Sequence, residues 1–115
     1  MPPAELDAAL GELVRVTPFV QCGFFSNSEG RGQAIWLRDD PGAEPRREDA
    51  RRVDVRERAW FRSVLREHRP SVSEPHTSLV GGESCFTVAA PQLGVDGALE
   101  GVVAIDVSVS GWTRI

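Results

Sequence analysis

Residues Gly101-Val102-Val103-Ala104-Ile105-Asp106-Val107-Ser108-Val109 alternate with a period of two. Val103, Ile105, Val107 and Val109 fall on one side and Val102, Ala104, Asp106 and Ser108 on the other, which is the signature of a β-strand with two different faces. One face is bulky and apolar; the other is smaller and carries a single carboxylate. Burying that carboxylate is costly unless it is paired or reaches water. Asp106 therefore requires a polar partner.

Working back from this strand, Gly94-Val95-Asp96-Gly97 reads as a turn, and 84–91 as the strand it returns. Gly81-Gly82 predicts a second turn, joined to a strand over 72–79. Trp60, Phe61, Val64 and Leu65 repeat at helical spacing until Pro70, so a second helix buries an aromatic-led face. Residues 40–57 carry Pro41, Gly42 and Pro45, then interleaved arginines and acids, and read as loop or solvated short helix. Near the N-terminus, 19–25 and 33–37 form a hairpin around the Ser-, Asn- and Gly-rich 27–32. Leu6, Leu10, Leu13 and Val14 lie on one stripe of a helix over about residues 4–16 that Pro18 cannot continue.

The order helix, two strands, helical crossover, three strands predicts an α+β fold that is PAS-like. It is a five-stranded antiparallel sheet with the N-terminal helix on one face and the crossover helix on the other. At 115 residues the chain fits one domain, with the PAS-like core over about 18–109.

Composition narrows the function classes. A net charge of -4 argues against nucleic acid as a partner, since binding it needs a dense basic surface. Thirteen basic residues, all arginine, with no lysine and no tyrosine, reflect a GC-rich genome more than thirteen chemical requirements. No apolar run approaches the roughly 20 residues of a membrane span, and no signal-peptide layout opens the chain. The chain is expected to be cytoplasmic if complete, and the extracytoplasmic part of a membrane receptor if excised from one. Cys22 and Cys85 are expected to be buried thiols acting as small hydrophobes. With only His68 and His76 and no ligand-type spacing, neither a metal site nor a cofactor is expected. No nucleophile elbow, Walker loop, dinucleotide glycine pattern or His-Glu-x-x-His occurs, so no catalytic residue is assigned.

The succession Arg58-Ala59-Trp60-Phe61, Pro75-His76, Ala90-Pro91 and Ile105-Asp106-Val107 resembles the Cache family of sensor domains, most specifically over 58–106. The resemblance implies a small-molecule ligand, with the arginine and aromatic pair at the helix start holding a carboxylate and a strand aspartate holding an ammonium. Here those positions are Arg58, Trp60, Phe61 and Asp106, with His76 and Ser78 on the strand between. Guanidinium suits the first task independently, because its planar fork matches a carboxylate and stays charged when partly desolvated. Phe61, His76 and Val53 stand where the family carries tyrosines, and Ser78 where amino-acid sensors carry a second aspartate. The carboxylate end is therefore better kept than the ammonium end, which admits a hydroxy or keto acid beside an amino acid.

The expected function is a ligand-binding sensory domain for signal transduction whose output module is not present in this chain. Arg58 and Asp106 are expected to flank one cavity rather than bond to each other, and the stripe of Leu6, Leu10 and Leu13 either covers the back of the sheet or pairs with a second copy in a homodimer through the N-terminal helix. The alternatives are a PAS-like dimerisation module without ligand, or a small enzyme using His76 and Asp106.

Overall fold

The computed structural model describes residues 3–40, 43–77 and 84–112. Helix α1 (Pro3–Val16) is followed by strands β1 (Val20–Asn27), β2 (Gly32–Leu37) and β3 (Arg46–Asp49). Helix α2 (Ala59–Glu67) leads to β4 (Ser71–Val72), β5 (His76–Thr77), β6 (Ser84–Leu93) and β7 (Leu99–Ser108), and α3 (Val109–Trp112) ends the described chain. The sheet runs β3-β2-β1-β7-β6-β4, with β5 also on β6, and each pair is antiparallel. Among the described residues no helix is long and apolar enough to cross a membrane.

This is the expected α+β, PAS-like architecture, with seven strands where five were expected. One addition is β3, read from sequence as loop or short helix. It pairs with β2 from Ala34↔Asp49 to Leu37↔Arg46, and all four of its residues are exposed. A strand covered on neither face leaves no alternation to read; its backbone ladder alone defines it, and its charges suit a sheet edge. The other addition comes from the broken third strand, because β4 and β5 pair with β6 separately around Ser73, Glu74 and Pro75. Pro75 has no N–H for the ladder, while the Ser73 N–H donates to Thr87 O at 2.8 Å. The predicted turn at Gly81-Gly82 lies outside the described residues. Strand β7 stops at Ser108, one residue short of the expected end.

The two faces of β7 divide the core. Val103, Ile105 and Val107 join Leu6, Leu10, Val14, Phe25 and Trp36 beneath α1. Val102 and Ala104 join Cys22, Phe24, Trp60, Phe61 and Val64 beneath α2. The buried stripe of α1 is thus Leu6, Leu10 and Val14, while Leu13 is 40% exposed and does not share it. Gly23 permits this close docking, since a Cβ there would sit 2.7 Å from Leu10. Asp7 adds a polar tie: it accepts from Trp36 Nε1 at 2.7 Å and pairs with Arg47 of β3. In α2, Trp60 and Phe61 meet edge-on at 6.3 Å, and His68 closes the helix in the left-handed region at φ 54°.

In the first hairpin, Asn27 Oδ1 accepts from the N–H groups of Glu29 and Arg31, each at 3.0 Å, and Gly30 takes φ 87°. Only glycine adopts that conformation without a steric cost.

Candidate functional site

Asp106 lies on the α2 face of β7, two residues from Ala104 and two from Ser108. Its cross-strand partners are Cys22 on β1 and Thr87 on β6, so the three side chains form one row across three strands. One step along, Ser108 faces Cys85, and Cys85 in turn faces His76 on β5. Small side chains on this face of β7 leave the space that the polar groups fill.

Asp106 is only 5% exposed and Thr87 1%. Thr87 Oγ1 donates to Asp106 Oδ1 at 2.7 Å, which meets the demand that a mid-strand carboxylate makes for a partner. His76 Nε2 lies 2.7 Å from the same Thr87 oxygen, and His76 Nδ1 lies 2.9 Å from Thr77 O. A carbonyl has no proton to give, so Nδ1 is the donor there. The Thr87 hydroxyl proton is directed to Asp106, and Nε2 sits against the same hydroxyl oxygen. His76 is thereby connected to the carboxylate through one hydroxyl. Ser73 holds this relay in place, accepting from Thr87 N–H at 2.8 Å. Burial pushes the Cys22 thiol well above its ordinary value, and the neighbouring Asp106, to which it hydrogen-bonds, pushes it further. Cys22 and Cys85 are both buried thiols and not disulfide-bonded, as expected from the sequence.

The predicted site residues are thus distributed unevenly. Asp106 and His76 come together through Thr87. Trp60 and Phe61 are buried in the core cluster beneath α2, alongside Cys22 and Ala104. Arg58 is exposed and occupies the N-cap position of α2 with extended backbone and no side-chain cap bond. The ion pairs of the described residues include none between Arg58 and Asp106. Ser78 lies outside the described residues. Sequence reasoning missed Thr87, Ser73 and the contribution of both cysteines. Thr87 shares its strand face with Cys85 and Ala89, a pattern that becomes informative only once the β6–β7 register is known. A groove lined by Phe25, Ser26, Asn27, Gln33, Gln92 and Glu100 lies at the other end of the β1–β7 pair and contains none of the predicted residues.

The order of the relay also bears on catalysis. A hydrolytic triad places histidine between the nucleophile and the acid. Here the hydroxyl stands in the middle and is sealed from solvent.

The sheet order, the helix on each face and the polar row beneath α2 can be set beside known structures. The sensory domain of the Campylobacter jejuni chemoreceptor Tlp3 superposes with a TM-score of 0.74 at 14% identity, over 96% of this chain and 43% of that one. The chain therefore shares the fold of that domain. The extracellular ligand-binding receptor from Desulfohalobium retbaense shares it, with a TM-score of 0.70 at 13% identity over 93% of this chain and 18% of that one. So does the Tlp3 ligand-binding domain solved in complex with L-valine, with a TM-score of 0.67 at 14% identity over 99% of this chain and 48% of that one. The chain spans less than half the length of each of these structures. No protein-family model matches the sequence, and no curated protein does.

Proposed function

We propose that this chain is a ligand-binding sensory module that recognises a small carboxylate or amino acid and passes the signal to an output module elsewhere. The observation that carries the reading is the hydrogen-bonded Asp106–Thr87–His76 row on the sheet face beneath α2, beside the apolar cluster that holds Trp60 and Phe61. Polar groups of this kind beside an apolar wall are the usual composition of a small-molecule site. The likeness to domains solved with amino acids supports the same reading.

In this reading Arg58 and the backbone N–H groups at the start of α2 take the carboxylate, where an anion also gains from the helix dipole. Asp106 and His76 take the ammonium or hydroxyl, and Trp60 and Phe61 supply the apolar wall.

A thermal-shift panel of L-valine and other amino acids, lactate and pyruvate tests this. A ligand that binds only the folded chain stabilises it by about 2.7 kcal/mol at a hundredfold excess over its Kd. The expected result is a rise in Tm with at least one carboxylate, lost in Arg58→Ala. Because Arg58 is exposed, that variant should stay folded. No shift across the panel, or the same shift in Arg58→Ala, would overturn the proposal.

A second reading draws on α1, where Leu13 and Val16 are 40% and 55% exposed. These side chains are the ones a homodimer through α1 would cover. Light scattering over a concentration series should then show a dimer that Leu13→Glu dissociates; a strict monomer removes the reading.

A further inference from the structure

We propose that His76, Cys85 and Asp106 bind one divalent transition-metal ion of the zinc class. One ligand atom from each, an imidazole nitrogen, a thiol sulfur and a carboxylate oxygen, lie within 4.8 Å of one another. They come from three neighbouring strands, β5, β6 and β7, so their arrangement is set by the rigid sheet rather than by a loop. Linear spacing across 76, 85 and 106 matches no metal motif, so only the strand pairing brings these donors together.

The donor set selects the ion. A thiolate with an imidazole suits zinc and its neighbours and disfavours magnesium and calcium, which prefer oxygen throughout. Zinc bonds run about 2.3 Å to sulfur and about 2.0–2.2 Å to nitrogen and oxygen. Closing three donors around such an ion asks for side-chain shifts of about 1 Å, within reach of a half-buried histidine at the rim.

The surroundings are those of a prepared site. Thr77 O accepts from His76 Nδ1, which holds a proton there and presents Nε2 inward, the outer-shell bond that metal-bound histidines commonly make. Thr87 Oγ1 orients Asp106 in the same way, and Ser73 holds Thr87. On binding, the ion displaces the Cys85 thiol proton to solvent and takes the lone pair of His76 Nε2. The thiolate, the carboxylate and a divalent ion then sum to zero charge in a buried setting. Three protein donors leave a fourth position for water. This inference departs from the carboxylate reading in giving His76 and Asp106 to an ion instead of an ammonium or hydroxyl, and Arg58 has no part in it.

Cobalt(II) titration of the full chain, stripped of metal and kept reduced, tests it. The expected result is one equivalent bound with a thiolate-to-cobalt charge-transfer band, which zinc abolishes by competition. The band should be lost in Cys85→Ser, persist in Cys22→Ser, and cobalt affinity should fall at least about 10-fold in His76→Gln. Circular dichroism confirms folding, and if Cys85→Ser does not fold, His76→Gln decides. Absence of a charge-transfer band in the folded chain overturns the proposal. So does a band that survives Cys85→Ser, or unchanged affinity in His76→Gln. Arg58→Ala should bind cobalt normally, so failure of the carboxylate reading and failure of the metal site are distinguished.

Discussion

Thr87 and Asp106 face each other across the β6–β7 pair, and the Thr87 hydroxyl donates to the Asp106 carboxylate at 2.7 Å while both side chains are almost wholly buried. Removing the hydroxyl withdraws a bond from a buried charge. Thr87→Val should therefore destabilise the fold by about 1–3 kcal/mol, measured by urea unfolding. Combined with Asp106→Asn, the loss should be clearly less than the sum of the single changes, since the two groups interact directly. Additive losses would mean that the bond contributes little.

Trp60 and Phe61 turn the start of α2 into the sheet, and Trp60 is buried against the residues that surround Asp106. Trp60→Ala should cost about 3–5 kcal/mol by the same measurement. A change within about 0.5 kcal/mol would show that α2 is not anchored through this side chain.

Asp7 links α1 to Trp36 and to Arg47. The Arg47 guanidinium holds its carboxyl below the ordinary value, with the Trp36 N–H acting in the same direction. A carboxyl lowered on folding contributes stability that is present above its unfolded value and is lost as pH falls through the folded one. Asp7→Asn should cost about 1–2 kcal/mol near neutral pH and flatten the fall in stability below about pH 4. Urea midpoints over an acid pH series provide the check; parallel curves for the two proteins would remove Asp7 from the account.

His68 sits at φ 54° at the end of α2, a conformation that glycine adopts without a side-chain clash. His68→Gly should leave stability equal or raise it by up to about 1 kcal/mol, seen as a higher Tm. A clear loss would indicate that the imidazole contributes more than its backbone conformation costs.

The sequence alone determined much of the architecture because periodicity reports burial. The alternation around Asp106 identified β7 and its two faces, and the spacing of Trp60, Phe61 and Val64 identified the buried side of α2. It also identified Asp106 as a residue needing a partner, from the cost of a mid-strand carboxylate. It could not name that partner, because Thr87 meets Asp106 only through the register of β6 on β7, and no local pattern encodes which residues of two strands stand opposite. The same holds for His76 and Cys85, brought beside Asp106 by the pairing of β5 on β6. Strand β3 was invisible for a different reason: none of its four residues is buried, so its ladder to β2 leaves no trace in hydrophobicity. Leu13 illustrates the reverse case, a residue that fits an apolar stripe by spacing yet is left exposed, because the surface α1 covers is narrower than the stripe. Composition and period thus determine which faces are buried, whereas long-range backbone pairing decides which side chains meet there.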